Sequence, residues 1–189
     1  MISSNFLILT GPPGSGKTTT LVHLARDQRV VAEPARRILT QARAAGEHGS
    51  GERDPDLFIA RMRKCAEADY RNAAAHAPVF FDRGLPDLIA FQRYYKQHDP
   101  SLRLSLQAYR YNTQVYFFPS WRKIYVQDAE RQLDFEGARQ FGQLLYNGYR
   151  RLGYQCIIVP RRPPDRRRDF ILETTTKLRR RRLGYAGGE

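Results

Sequence analysis

Near the N-terminus the sequence reads Phe6-Leu7-Ile8-Leu9-Thr10-Gly11-Pro12-Pro13-Gly14-Ser15-Gly16-Lys17-Thr18-Thr19. Residues 5–10 are mostly apolar and suit a β-strand, and a helical pattern of apolar residues follows Thr18. Between them lies the pattern G-x-x-x-x-G-K-[ST], which is typical of a phosphate-binding loop when a strand precedes it and a helix follows it. The stretch therefore predicts a strand, a phosphate-binding loop and a helix.

The predicted loop has a defined chemistry. Its glycines allow backbone N–H groups to point inward at phosphate oxygens, where the positive end of the following helix also points. We expect Lys17 to reach the β and γ phosphates and Thr18 to place its hydroxyl on Mg²⁺. The sequence has no Asn-Lys-x-Asp guanine signature, which favours ATP and leaves GTP possible. The predicted nucleotide-binding residues in this loop are Gly11, Pro12, Pro13, Gly14, Ser15, Gly16, Lys17, Thr18 and Thr19.

Further strands and helices alternate along the rest of the chain. Short apolar runs predict strands at residues 30–32, 79–81, 115–118 and 155–159, in addition to 5–10. Helical patterns lie between these runs and continue after Pro164. Short, nearly all-apolar strands separated by helices indicate a parallel sheet covered on both faces, which is the α/β class.

The length and the apolar content indicate one domain. The chain has 189 residues, 41% of them hydrophobic, which is enough for a single full-sized core. We predict one domain over residues 1–183 with a five-stranded parallel sheet in a three-layer sandwich. We expect substrate-side helices at about 85–114, a lid at about 119–139 and a flexible tail at 184–189.

Charged residues follow the second and third strands, where ligands bind in open α/β sheets. Glu33 can project toward the γ phosphate, either to accept a hydroxyl proton or to hold a magnesium water; the alternative is a helix-capping carboxylate. Asp82 is a candidate for magnesium binding and Arg83 for clamping a phosphate, with a simple Asp-Arg salt bridge as the alternative. Arg37 and Asp87 are weaker candidates for substrate contact.

Two later segments supply further candidates. Residues 128–135 are charged and lie between a strand and a helix, which suggests a lid. Arg131 or Arg139 of this region is a candidate for closing over the triphosphate. Pro160 ends the fifth strand in a rigid loop where a base can lie against the backbone.

The charge is strongly positive. Lys plus Arg number 32 against 19 for Asp plus Glu, a net charge of +13, so an anionic partner is expected: a nucleotide, a nucleic acid or an acidic lipid surface. The arginine runs at 166–168 and 179–182 are expected to lie on a solvated helix face. No apolar run is long enough to span a membrane, and no secretory signal is visible, so a cytoplasmic location is expected. Cys65 and Cys156 match neither a disulfide framework nor a metal pattern.

Taken together, these motifs resemble those of nucleoside and nucleotide kinases. Glu33-Pro34 resembles the catalytic Glu-Pro of deoxynucleoside kinases, and Asp82-Arg83 is similar to the Asp-Arg of thymidylate kinases. Over nearly the whole chain the sequence looks like a small bacterial family of predicted AAA-type ATPases of the P-loop NTPase class. That family is grouped with nicotinamide riboside kinase domains and TRPL translocation defect proteins. The resemblance implies a kinase-like fold and leaves the substrate open.

Three functions fit these features. The first is a kinase that moves the γ-phosphoryl group of ATP to a small molecule, with a base or planar ring stacked on aromatic side chains. The second is a nucleotide-dependent binding protein or regulatory NTPase, and the third is a polynucleotide kinase-like enzyme, supported mainly by the charge. The aromatic candidates for stacking, each also a candidate for the core, are Phe91, Tyr94, Tyr95, Tyr109, Tyr111 and Tyr116.

Overall fold

A computed structural model describes residues 3–44, 54–74, 76–127, 133–182 and 184 of the chain. Within these ranges five strands form where β-compatible apolar runs predict them. They are β1 (Phe6–Thr10), β2 (Arg29–Val31), β3 (Val79–Asp82), β4 (Gln114–Phe117) and β5 (Gln155–Ile158).

Seven α-helices connect and flank these strands in the described residues. They are α1 (Lys17–Leu24), α2 (Pro34–Ala44), α3 (Pro55–Asn72), α4 (Leu88–Tyr95), α5 (Ser101–Ala108), α6 (Phe135–Arg151) and α7 (Pro164–Arg182). Helices α2, α3 and α7 each begin at a proline, whose fixed φ and missing N–H suit the first helical turn. Asp54 and Asp134 cap α3 and α6 with side-chain oxygens, as short polar residues at this position do.

All five strands are parallel, and their order across the sheet is β2-β3-β1-β4-β5. The central strand β1 is therefore flanked by β3 and β4, and β2 lies next to β3. Because parallel strands end at the same edge, the residues that follow β1, β2 and β3 meet at one edge of the sheet. The predicted α/β class and the five-stranded parallel sheet are confirmed.

Alternate residues of the strands pack on opposite faces of the sheet. Phe6 and Ile8 belong to a core beneath α2 to α5, which also includes Tyr149 of α6. Leu7 and Leu9 face the other way and pack with residues of α1 and α7. This alternation follows from the two-residue period of a strand, and it gives the three-layer arrangement that the sequence predicts.

Some local predictions need correction. The helical segment expected at about 85–114 begins with a 3₁₀ turn at Leu85–Asp87, and its last helix, α5, ends at Ala108. Tyr111 and Tyr116 are 1% and 0% exposed, so these two rings form part of the core and are not open to a ligand. In the described part of the chain, no helix has the length and apolar character needed to cross a membrane.

Helix α7 also differs from the solvated helix that its composition predicts. Arg179, Arg180 and Arg181 are exposed, as expected, but Arg167 is only 2% exposed. Ile171 and Thr175 follow at four-residue intervals and are also buried, so one stripe of α7 faces the sheet. The expectation of a solvated face at residues 166–168 is therefore wrong for Arg167.

Tyr116 of β4 attaches α7 to the sheet by hydrogen bonding. Its hydroxyl donates to the carbonyl of Ile171 at 3.1 Å and lies 2.6 Å from the hydroxyl of Thr175. Burial raises the pKa of Tyr116 to about 12 and the Thr175 hydrogen bond opposes this, so the hydroxyl keeps its proton at neutral pH.

We predict that Y116F lowers the free energy of unfolding by about 1–2 kcal/mol, because the variant leaves buried partners on α7 without a hydrogen bond. Urea unfolding followed by circular dichroism measures this difference. The matched control is Y94F, because Tyr94 is 43% exposed, and its effect is expected to stay within about 0.5 kcal/mol. Equal stability of Y116F and Y94F would contradict the role of this hydroxyl.

Candidate active site

The predicted phosphate-binding loop connects β1 to α1 at the carboxyl edge of the sheet. Gly11 has a φ of +153°, and a Cβ at this position would overlap the carbonyl oxygen of Phe118, so only glycine fits there. Gly16 immediately precedes α1 with a φ of +79°. The loop thus brings its backbone to the N-terminal end of α1, where helix N–H groups and the helix dipole favour an anion.

Lys17 and Asp82 form a buried ion pair beside this loop. The Lys17 ammonium donates a hydrogen bond to Oδ1 of Asp82, and their side chains are 5% and 8% exposed. The pair forms because Asp82 ends β3 level with Leu9 of the adjacent strand β1. Burial raises the pKa of Asp82, and the nearby Glu33 carboxylate raises it further, although the charge of Lys17 acts against both.

Arg83 lies at the centre of a larger buried cluster. Its guanidinium donates to Oε1 of Glu33 at 2.7 Å, to Oδ1 of Asp87 at 3.0 Å and to the carbonyl of Gly11 at 2.9 Å. Burial acts to lower the pKa of Arg83, but the charges of Glu33 and Asp87 raise it above its ordinary value. Arg83 therefore joins the end of β2, the end of β3 and the phosphate-binding loop through one charged group.

Asp87 is held from several directions within this cluster. It is 1% exposed and accepts hydrogen bonds from the hydroxyls of Thr10 and Tyr149 and from the backbone N–H of Gly84. With Arg83 as its charged partner, the carboxylate is directed into the cluster. Sequence reasoning did not identify Thr10 or Tyr149, because Tyr149 is separated from Asp87 by 62 residues and no local pattern joins them.

Glu33 follows β2 and connects the cluster to the phosphate-binding loop through Arg36. Its Oε2 lies 3.4 Å from Nε of Arg36, while Nη2 of Arg36 donates to the Thr18 hydroxyl over 3.4 Å. Burial alone would raise the pKa of Glu33, but the charges of Arg83 and then Lys17 outweigh it and lower this pKa to about 2. The Glu33 carboxylate is therefore ionised at neutral pH. The signal for Arg36 in the sequence is its position one helical turn after Glu33.

The residues around the loop fit a magnesium-bound triphosphate. The buried Ser15 hydroxyl has no hydrogen-bond partner among the described residues, as expected for a polar atom beside a ligand site. Thr18 is exposed, and Asp82 and Glu33 supply carboxylates nearby. Within the described ranges no group of three or more His, Cys, Asp or Glu could hold a metal ion. Mg²⁺ binds through one or two protein ligands together with phosphates and water, and the Thr18 hydroxyl and the Asp82 carboxylate are oxygen ligands of the kind it prefers.

The other predicted site residues lie away from this cluster or outside the described ranges. The Arg37 guanidinium pairs with Asp69 of α3 and contacts the Cys65 sulfur. Arg139 is exposed and pairs with Glu136 of its own helix at 2.6 Å. Arg131 and its neighbours at 128–132 in the lid predicted at about 119–139 lie outside the described residues, as do residues 185–189 of the predicted tail. Ligand roles for these residues stay predictions.

Pro160 lies two residues after the end of β5, and its carbonyl accepts a hydrogen bond from the N–H of Arg162 in a tight turn. The neighbouring Arg161 donates to the carbonyl of Ser120 at 2.8 Å. This contact brings the loop after β5 to the segment after β4. A base contact at Pro160 remains a prediction that this geometry permits.

A group of aromatic rings lies next to Arg83. The Arg83 guanidinium is 5.9 Å from the centroid of the Phe91 ring, which packs edge-on against Phe141 at 5.1 Å. Tyr94 and Tyr95 adjoin them. Tyr109 instead packs on Tyr70, away from this group. Of the predicted stacking residues, Phe91, Tyr94 and Tyr95 thus lie together on α4, and Phe91 adjoins the charged cluster.

Comparisons with known proteins agree with this fold. A family model described as an AAA domain matches residues 6–167. No match was found among curated proteins. The chain is similar to the solved NadR protein in complex with NAD and AMP-PNP, with a TM-score of 0.67 and 19% identity over 92% of this chain. It spans about half the length of that protein, since the match covers 50% of it.

Two similar structures match over nearly their full length. Shikimate kinase from Acinetobacter baumannii has a TM-score of 0.59 and 18% identity, with coverage of 92% of this chain and 93% of that one. Deoxyadenosine kinase from M. mycoides has a TM-score of 0.65 and 12% identity, with coverage of 91% and 99%. At these identities the likeness concerns the fold. The chain belongs to the AAA domain family that matches residues 6–167, and it is a P-loop NTPase with a nucleoside- and nucleotide-kinase-like fold.

Proposed function

We propose that this chain is an ATP- and magnesium-dependent phosphotransferase that moves the γ-phosphoryl group of ATP to a small molecule. One observation carries the proposal: the buried Lys17–Asp82 pair at the phosphate-binding loop adjoins the Glu33–Arg83 pair at the ends of β2 and β3. A loop for phosphate binding alone would not need a second, ionised carboxylate held at its side. A phosphotransferase needs one to orient the attacking group.

In this proposal the loop and Lys17 bind the phosphates of ATP. An ammonium group has three N–H donors, and Asp82 accepts one of them. Bound Mg²⁺ would be held by Thr18 and Asp82, with Glu33 as a further ligand or through water, and would neutralise charge on the β and γ oxygens. Arg83 is fixed by its contacts to Gly11, Glu33 and Asp87, so it adds a positive charge at a defined place.

Glu33 is proposed to orient the acceptor. Its low pKa makes it a weak proton acceptor in this environment, so its main contribution would be a hydrogen bond that aligns an acceptor hydroxyl with the γ phosphate. Proton transfer to Glu33 then follows as the phosphoryl group moves and the hydroxyl becomes more acidic. The acceptor would lie on the side of β2 and β3, against the rings of α4.

The similar structures support a small-molecule acceptor of nucleoside, nucleotide or hydroxy-acid type. Shikimate kinase holds shikimate, and deoxyadenosine kinase holds dCMP and dCDP or dATP. The acceptor class of this chain is part of the proposal. A cytoplasmic location suits an enzyme that uses ATP, and it too is proposed.

We predict that E33Q lowers the rate of phosphoryl transfer by about 100-fold or more, because an amide cannot accept the proton or bind the hydroxyl as a carboxylate does. The test offers the enzyme a panel of acceptors: nucleosides, nucleotides, nicotinamide riboside and shikimate. Both ADP formation and the phosphorylated product are measured for wild type and for E33Q. The matched control is E136Q, an exposed glutamate on α6, which is expected to retain the wild-type rate.

The possible outcomes of this experiment distinguish the phosphotransferase from a regulatory NTPase. Product formation that E33Q abolishes supports the phosphotransferase. ADP and phosphate release without any phosphorylated acceptor favours a regulatory NTPase. Equal transfer rates for E33Q and wild type would refute the role of Glu33.

We predict that K17M weakens ATP binding by more than about tenfold, because the variant removes a charge-assisted hydrogen bond and leaves Asp82 buried without its cation. Isothermal titration calorimetry with ATP and Mg²⁺ measures the affinity. The control is K177M, an exposed lysine of α7, which should bind ATP like wild type. Unchanged affinity in a folded K17M protein would contradict the assigned phosphate contact.

The Glu33 ion pair also predicts a pH dependence of stability. Because the folded-state pKa of about 2 lies below the ordinary value of 4.5, the carboxylate contributes stability above pH 4.5 and loses it as the pH falls toward 2. At neutral pH the contribution is about 3 kcal/mol. E33Q is therefore expected to be less stable than wild type at pH 7, with the difference shrinking below pH 4.5. Urea unfolding at several pH values tests this, and a difference that is constant with pH would contradict it.

A further inference from the structure

Arg167 is a buried arginine whose position the sequence does not reveal and for which the proposed chemistry has no role. It lies in the first turn of α7 and is 2% exposed. Among the described residues no carboxylate pairs with it, and burial lowers its pKa. An arginine nevertheless keeps its charge in proteins. Burying a cation without an anionic partner costs free energy, so other contacts of Arg167 must offset this cost.

The guanidinium of Arg167 reaches the phosphate-binding loop. Its Nη1 donates to the carbonyl of Ser15 at 2.9 Å, and its Nε donates to the carbonyl of Arg162 at 2.7 Å. One group therefore joins two backbone segments that are about 150 residues apart in sequence. These segments are the phosphate-binding loop and the loop after β5.

Arg167 also packs on aromatic rings that follow β4. The centre of its guanidinium lies 4.6 Å from the centroid of the Trp121 ring and 5.8 Å from that of Phe118. An arginine over an indole face is favourable, and more so when both are shielded from water. These rings hold the guanidinium from the side while the two carbonyls fix its direction.

The guanidinium of Arg167 packs directly against Gly16 of the phosphate-binding loop. A Cβ on Gly16 would lie 2.7 Å from Nη1 of Arg167, so the guanidinium occupies the volume beside this glycine. Gly16 precedes Lys17 and has a φ of +79°. The arginine thus lies against the backbone at the point where the loop turns into α1.

We infer that Arg167 is a positioning residue for the phosphate-binding loop, which it holds in place for nucleotide binding by connecting Ser15 to Arg162 and Trp121. This inference rests on the proposed function, because it assumes that ATP binds at the loop. Arg167 acts through the loop backbone and supports it on the side of β4 and β5. Arg83 supports the same loop through Gly11, on the side of β2 and β3.

The test compares R167M and R167K with R166M, which makes the same change at the neighbouring exposed arginine. Isothermal titration calorimetry with ATP and Mg²⁺ gives the affinity of each folded protein. R167M is expected to bind ATP about tenfold more weakly than wild type, as loss of charge-assisted hydrogen bonds implies. R167K keeps the charge but cannot bridge two carbonyls, so an intermediate loss of about threefold is expected. R166M should match wild type.

Trp121 supplies a spectroscopic readout because it is the only tryptophan of the chain. Acrylamide quenching of its fluorescence should increase in R167M and remain unchanged in R166M, since only the first substitution uncovers the indole face. Thermal unfolding without nucleotide records any general loss of stability. If R167M fails to fold, R167K decides the question.

Wild-type affinity for ATP in folded R167M or R167K would overturn this inference and leave the proposed function intact, even if the melting temperature falls. A wild-type protein that binds no ATP would overturn both. The positioning role is supported if R167M binds ATP more weakly than wild type, R167K recovers part of the lost affinity and R166M binds like wild type.

Discussion

The guanidinium of Arg83 is the group on which the rest of the site depends. Its backbone has a φ of +69°, a conformation that costs a non-glycine residue roughly 1–2 kcal/mol, and its side chain is nearly fully buried. The hydrogen bonds and ion pairs of the Arg83 guanidinium offset both the backbone strain and the cost of burial. Contacts to Glu33, Asp87 and the Gly11 carbonyl fix the ends of two strands against the phosphate-binding loop. Without this cation, two buried carboxylates would repel each other there.

This arrangement also balances the charge at the carboxyl edge of β2 and β3. Three cations (Lys17, Arg36, Arg83) face three carboxylates (Glu33, Asp82, Asp87). In such a cluster each carboxylate lies next to a cation, so the charges are paired within the protein itself. In the proposed function, a magnesium-bound triphosphate would bring both signs of charge and could exchange partners with this cluster without leaving a buried charge unpaired.

The sequence predicts the parts of this site that local patterns encode. The G-x-x-x-x-G-K-[ST] pattern and the apolar runs before Glu33 and Asp82 are local, and parallel strands necessarily bring their carboxyl ends together. Tyr149 and Arg167 are different, because their roles come from tertiary packing. The buried stripe of α7 contains Arg167, Ile171 and Thr175, so two of its three members are polar and no apolar period appears. From the sequence alone, Arg167 between Arg166 and Arg168 is therefore interpreted as part of a solvated helix face.

The two sides of the phosphate-binding loop differ in the kind of support they give. On the side of β2 and β3, carboxylates pair with cations close to the loop, a setting suited to hold Mg²⁺ and to orient an acceptor. On the side of β4 and β5, Arg167 contacts only carbonyl oxygens and aromatic rings among the described residues. A carboxylate there would repel the phosphates, whereas an arginine bound to neutral groups adds a positive charge beside them. In the proposed function, this asymmetry favours a triphosphate that lies with its γ phosphate toward Glu33 and Asp82 and its base toward the loop at Pro160.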